Sequence, residues 1–225
     1  MGAGDESACG MIVATGHTGY QWDRIVGLTL PALTAYCERH GYWLLDVDLD
    51  QSAAGRPPSW GKVPAMRAAL HDDPAVVWID ADVLIRPDAP PIHEAMPAGA
   101  WQALAFHDVP EGATPNCGVW CVTRAMQGEL AAVWASTDLI DHPWWEQAAL
   151  MRLLGYDVTT WPILAADRKP AALSVETAAL PGEWNAHPHD RTPGLMDRAW
   201  FRHATPGGNR ARLAMLGEWA REWGL

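Results

Sequence analysis

The sequence predicts an α/β fold of three layers, with helices on both faces of a mostly parallel central sheet. Three observations lead there. Short apolar runs alternate with stretches of helical periodicity through the first half of the chain. The composition is globular, with 49% hydrophobic and 19% charged residues. The length, 225 residues, suits a single domain over residues 1–225 with a sizeable buried core.

Residues 1–10 are expected to be a loose leader. Met11 to Thr15 is an apolar run closed by Gly16, which suits a buried strand. From Trp22 to His40 apolar residues recur at helical spacing, and Gly41 is the expected stop. Pro31 lacks a backbone N–H, so it is expected to kink or split that helix. Trp43 to Asp48 predicts a second strand. A polar loop over Gln51 to Ser59 and a helix over Lys62 to His71 follow. Ala75 to Ile85 (AVVWIDADVLI) is the strongest strand signal in the chain. Trp101 to His107 and Gly118 to Thr123 are further strand candidates, with helices at Ala125 to Ser136 and Trp144 to Leu154. Prolines at 162, 170, 181, 188, 193 and 206 then predict a loop-rich region, 156–206, suited to an acceptor site or a lid. A helix over Asn209 to Trp223 closes the chain.

Composition narrows the function classes. The formal net charge is −11, from 16 basic and 27 acidic residues. That argues against general nucleic-acid binding and against an anionic membrane surface, since both need clustered Lys and Arg. No apolar run approaches the roughly 20 residues of a membrane span. Residues 1–10 lack the pattern of a signal peptide. Cys9, Cys37, Cys117 and Cys121 are too few for a disulfide framework, and Cys117-x3-Cys121 has no second pair to make a zinc site. A reducing, cytoplasmic setting is expected. Trp is over-used, at 14 residues against 2 Phe. Trp78, Trp120 and Trp145 are expected to frame a pocket with their flat indole faces, and core packing to account for most of the rest.

The chemistry centres on Asp80 and Asp82, within the strongest strand signal. A strand places residues i and i+2 on one face, so both carboxylates project together. Two like charges at the end of a buried strand need compensation, and a divalent cation supplies it through carboxylate oxygens. In parallel sheets ligands bind beyond the C-terminal strand ends. An aspartate-nucleophile phosphohydrolase also carries D-x-D after an apolar strand, but wants Thr or Val where Leu84 stands.

Other segments fall into order around this pair. Trp60-Gly61-Lys62 precedes it. Asn116-Cys117-Gly118-Val119-Trp120, Trp144-Trp145-Glu146-Gln147 and Phe201-Arg202-His203 with Gly207 follow it. This ordered set, over roughly residues 11 to 207, resembles metal-dependent glycosyltransferases of the GT-A fold. It resembles most the galactosyl- and xylosyltransferase family of fungal mannan and plant xyloglucan enzymes, and is also similar to the glycogenin-like family.

The resemblance implies a nucleoside-diphosphate sugar as donor (a UDP-sugar first) and Mn2+ or Mg2+ as cofactor. It implies Asp80, Asp82 and His203 as metal ligands, with Asp80 also facing the donor ribose. His187 and His189 are the alternatives to His203. Asn116 would contact the donor sugar, or else sit in a simple turn, and Gly118 would allow close backbone approach. Glu146 and Gln147 would lie near the anomeric carbon; otherwise Glu146 is charge on a helix N-terminus. Thr15, Gly16 and His17 would hold base and ribose. Lys62 would meet the diphosphate, or else be a solvated helix-start lysine.

The families it resembles retain anomeric configuration, so retention is expected. An inverting reaction would need a general base, for which Asp108 and Glu146 are available. The acceptor is open: a glycan, a metabolite, a protein side chain or a hydroxymethylated base in DNA. Arg202, Arg210, Arg212 and Arg221 would form the basic patch for DNA, unless they are an ordinary solvated helix face. A non-catalytic nucleotide-sugar-binding module is the rival from another class.

Overall fold

The computed structural model describes residues 11–205 and 207–225; the expected leader lies outside them. Strand β1 (Ile12–His17) leads into helix α1 (Asp23–His40), then β2 (Trp43–Asp48) and the single turn α2 (Leu49–Ser52). Helix α3 (Lys62–Asp72) precedes β3 (Ala75–Ile79) and the short β4 (Val83–Ile85). A hairpin of β5 (Gln102–Val109) and β6 (Gly112–Thr123) follows, then α4 (Gln127–Trp134) and α5 (Trp145–Leu153). The remainder holds the turn α6 (Ala172–Val175), β7 (Thr177–Leu180), the turn α7 (Leu195–Arg198), β8 (Phe201–His203) and α8 (Asn209–Trp223).

The central sheet has six strands in the order β2-β1-β3-β6-β5-β7. Only β6 runs against the rest, because it returns from β5 through a tight turn at Gly112. A two-stranded sheet, β4-β8, lies apart. Alternation along β3 builds two cores. Val76 and Trp78 join α3, α4 and α5 on one face, while Val77 and Ile79 join α1 and the small sheet on the other. Helix α8 packs on α1 through Leu216 and Trp219 against Ile25.

Four expectations change. Pro31 does not split α1, which runs unbroken through it to the left-handed cap at Gly41. The carbonyl that Pro31 would crowd, four residues back, belongs to Gly27, whose backbone can give. The run Ala75 to Ile85 is two strands in two sheets, broken at Asp80–Asp82. Asn116 lies inside β6, which begins at Gly112 rather than at Gly118, and not in a simple turn. The region 156–206 is not only loop, since it holds β7 and β8.

Candidate active site

A cavity of about 900 Å³ covers the C-terminal ends of β1 and β3, within the size range of ligand sites. Asp80 and Asp82 reach it from the turn between β3 and β4, not from one strand face. Val83 N–H donates to Asp80 O at 3.0 Å and closes that turn. Asp80 N–H donates to Gly118 O at 2.7 Å, and Ala204 N–H donates to Asp82 O at 2.9 Å. The turn is therefore pinned to β6 on one side and to the end of β8 on the other. Single ligand atoms of Asp80, Asp82 and His203 all lie within 4.8 Å of one another.

A chain of hydrogen bonds orients His203. Gly118 N–H donates to Asn116 Oδ1 at 2.8 Å, and Asn185 Nδ2 donates to the same oxygen at 2.9 Å. That fixes the Asn185 amide, whose Oδ1 lies 3.0 Å from His203 Nδ1. An amide oxygen only accepts, so Nδ1 carries the hydrogen on this side and Nε2 is turned toward the two aspartates. Nε2 stands 3.2 Å from Asp82 Oδ1 and 3.9 Å from Asp80 Oδ2. The ring occupies the space where any Cβ at position 118 would stand. Gly118 thus makes room for His203. Gly118 also lines the cavity.

The other two carboxylate oxygens are already bound. Lys62 Nζ donates to Asp80 Oδ1 at 2.8 Å, and Trp78 Nε1 donates to the same oxygen at 2.6 Å. Arg212 Nε stands 3.0 Å from Asp82 Oδ2. Each aspartate thus gives one oxygen to a protein cation and turns the other toward His203. Two carboxylate oxygens and an imidazole nitrogen facing a common point fit a divalent cation, which takes oxygen and nitrogen ligands of this kind.

Lys62 is buried, not solvated, and also pairs with Glu146 Oε1 at 3.0 Å. Burial alone would lower its pKa; Asp80 and Glu146 outweigh that and raise it. Burial would likewise raise Asp80, but Lys62 holds its carboxyl below the usual range. One ammonium does not fully answer two buried acids. Glu146 is the one left short: burial outweighs Lys62 and raises its pKa, and its Oε2 has no hydrogen-bond partner. Glu146 is therefore more than a charge on a helix end. Its neighbour Gln147 accepts from Cys117 N–H through Oε1 at 3.1 Å, leaving its NH2 end for a ligand.

Gly16 and His17 line the cavity, as do Lys62, Asn116, Glu146 and Gln147. Thr15 does not: it is buried within β1 with its hydroxyl unpartnered. His187 and His189 line the cavity but stand outside the Asp80–Asp82–His203 cluster. Asp108 is exposed and points away from the cavity. Trp78 and Trp120 are wholly buried and frame no pocket; large indoles at the sheet centre fill core, and their N–H groups reach Asp80 and Gln102. Trp145 does line it, 43% exposed, with its backbone in the left-handed region at φ 43°. A bulky residue held there is strained, a feature that clusters at binding sites.

The expected basic patch is mostly consumed. Arg202 is buried and paired with both oxygens of Glu222, and Arg212 is taken by Asp82. Only Arg210 and Arg221 of the four stay exposed. Asn185 and His107 are site residues that sequence reasoning missed, and Arg212, expected in a basic patch, serves Asp82 instead. No spacing pattern marks them, because each meets the site only through the tertiary fold.

Residues 27–94 match the galactosyl transferase GMA12/MNN10 family. No curated protein matches the chain in sequence. Among solved structures, a glycosyltransferase involved in glycosylation of the major capsid of PBCV-1 is similar. It shares 16% identity at a TM-score of 0.67, covering 93% of this chain and 99% of that one. The galactosyltransferase LgtC, solved with donor and acceptor sugar analogs, shares 12% identity at a TM-score of 0.61, covering 95% of each chain. The glycosyltransferase GlyE of Streptococcus pneumoniae TIGR4 shares 11% identity at a TM-score of 0.56, covering 95% of this chain and 64% of that one. The fold is thus that of GT-A glycosyltransferases. Together with the family match it supports sugar transfer as the reaction class. Among the described residues no helix is long and apolar enough to cross a membrane.

Proposed function

We propose that the protein is a metal-dependent glycosyltransferase, using a nucleoside-diphosphate sugar and retaining anomeric configuration. One observation carries this: Asp80, Asp82 and His203 converge in a cavity at the strand ends, with Asp80 held ionised by Lys62, Asp82 paired to Arg212 and the imidazole aimed by Asn185. We take Asp80, Asp82 and His203 as ligands to Mn2+ or Mg2+, and a UDP-sugar as the first donor to test. A cation there would stabilise the charge of the departing diphosphate.

The chain's own residues do the rest. Gly16, His17 and Asn116 would hold the donor along the wall beside the D-x-D turn. Lys62 keeps Asp80 ionised and aimed. The carboxylate of Glu146 and the free amide end of Gln147 would face the developing oxocarbenium charge. In transfer the bond from C1 to the phosphate oxygen breaks and a bond from the acceptor oxygen to C1 forms on the same face. The acceptor proton passes to the departing phosphate. Retention is the outcome that the family resemblance favours; of the two bases an inverting reaction would use, Asp108 does not line the cavity, and Glu146 holds one oxygen on Lys62 while its Oε2 stays unpartnered. The paired Arg202 and Arg212 turn the acceptor away from DNA and toward a small molecule or glycan. Among the described residues Cys37, Cys117 and Cys121 are free thiols, which supports a reducing, cytoplasmic setting.

A thermal-shift panel of nucleoside diphosphates and nucleotide sugars, with and without Mn2+, tests the donor. Stabilisation by UDP only with Mn2+ is expected, and none by any nucleotide would end the proposal. Product stereochemistry by NMR tests retention. Turnover separates an enzyme from a binding module, which would bind the donor and transfer nothing.

A further inference from the structure

Deeper in the same cavity stand two histidines that the metal cluster does not use. His107 lies near the end of β5, and His187 follows the Asn185 that orients His203. Their ring centroids are 3.8 Å apart with planes tilted by 44°. Both are buried.

Their hydrogen bonds define which nitrogen offers what. His107 Nδ1 lies 3.0 Å from Asp190 Oδ2. Asp190 also accepts from Thr192 N–H at 2.8 Å and Asp108 N–H at 3.3 Å. Burial would raise the Asp190 carboxyl, but its donors outweigh that and hold it ionised. A carboxylate only accepts, so His107 Nδ1 carries the hydrogen and Nε2 is a bare acceptor. That Nε2 is buried with no hydrogen-bond partner. His187 has the opposite tautomer. Its Nδ1 accepts from His189 N–H at 3.1 Å, so its Nε2 carries the hydrogen. One unpaired acceptor and one N–H donor therefore stand on neighbouring rings in a cavity wall.

A buried, unpartnered nitrogen calls for a donor, since burial has taken its water away and returned no partner. A hydroxyl fits both rings at once, donating to His107 Nε2 and accepting from His187 Nε2–H. Burial lowers the pKa of His107 to about 4 and of His187 to about 3, so both are neutral near pH 7. The pair thus brings no positive charge to a ligand, and flat uncharged rings suit the C–H face of a sugar. So low a pKa also makes His107 a poor general base, consistent with a same-face transfer that needs none.

We propose that His107 and His187 bind a hydroxyl of the acceptor, and that the acceptor is an uncharged glycoside. This rests on the glycosyltransferase reading above. The test titrates methyl galactoside, glucoside, xyloside and mannoside into the full chain, with and without UDP and Mn2+, followed by saturation-transfer NMR. At least one glycoside should bind. His187→Phe keeps the stacked ring but removes the N–H, and should weaken that binding about tenfold. His107→Leu should do the same. Stabilisation by UDP and Mn2+ should be unchanged in both. If no glycoside binds, or both variants bind it as the wild type does, the proposal fails. A protein that binds glycoside but not UDP would instead overturn the donor reading.

Discussion

Lys62→Met is the most demanding test of the charge arrangement. The ammonium lies 2.8 Å from Asp80 and 3.0 Å from Glu146, and the Lys62 and Glu146 side chains are each 4% exposed. Removing one partner of a buried ion pair costs about 3–5 kcal/mol. Asp80 is partly relieved, since it keeps the Trp78 N–H and is 27% exposed. Glu146 is not, because Lys62 is its only salt-bridge partner among the described residues and its Oε2 is already unpartnered. The low end, about 3 kcal/mol, is therefore expected. For a chain of this size that is a fall of about 6–12 °C in Tm. Guanidinium unfolding followed by Trp fluorescence would read it as a lower midpoint at unchanged slope. Burial already raises the Glu146 pKa, and the substitution raises it further. Between the unfolded and folded pKa of such an acid the native state holds more protons, so stability falls as pH rises through that window. The deficit of Lys62→Met should accordingly shrink on acidification toward pH 5. Adding Glu146→Gln should recover at least about 1 kcal/mol. A single variant that loses less than 1 kcal/mol, or a double variant no more stable than the single, would refute the reasoning.

Three further outcomes are expected. Gly118→Ala places a methyl where the His203 ring lies, so the protein should fold yet lose most Mn2+-dependent stabilisation by UDP; wild-type response would sever His203 from the metal. Asn185→Ala leaves the His203 ring unaimed and should weaken Mn2+ binding about 10–100-fold, measured by titration calorimetry in the presence of UDP. His107 and His187 are held neutral by burial, with pKa values of about 4 and about 3. The unfolded chain protonates them near 6.5 and so binds more protons below that pH. Stability should therefore fall as pH drops from about 6.5 toward 4, and His187→Phe should flatten the slope in urea titrations.

How far the sequence was legible depends on the range of the interaction that decides each residue. The apolar strands and the terminal helix Asn209–Trp223 were legible because their periodicity is local. The D-x-D pair was legible for its residue types, although a turn rather than a strand face brings the acids together. AVVWIDADVLI reads as one strand because both halves are apolar; the break follows from β4 pairing with β8, over a hundred residues away in sequence. The same distance hid Asn185 and the role of Arg212. His107 was hidden differently, since a histidine inside an apolar strand looks like ordinary core until the Asp190 carboxylate is seen to fix its tautomer. Trp78 misled for the converse reason. Its place beside the motif suggested a sugar platform, but its face is core and only its N–H serves Asp80.

The division of carboxylate oxygens bears on which cation the proposed metal site would take. Asp80 Oδ1 is committed to Lys62 and Trp78, and Asp82 Oδ2 to Arg212. Each acid can therefore act only as a one-oxygen ligand, so the protein offers two oxygens and one imidazole nitrogen. Ca2+ wants six to eight oxygens, often with carboxylates bound through both. Mg2+ and Mn2+ accept six ligands in octahedral order, leaving three positions for phosphate oxygens and water. The imidazole favours Mn2+ of the two. In a thermal-shift series with UDP, Mn2+ should therefore stabilise most, Mg2+ less and Ca2+ least. Arg212→Met frees Asp82 Oδ2 and should narrow the gap between Ca2+ and Mn2+. Equal stabilisation by Ca2+ in the wild-type protein would show that Lys62 and Arg212 release their oxygens on metal binding, and that the one-oxygen arrangement does not set the choice of metal.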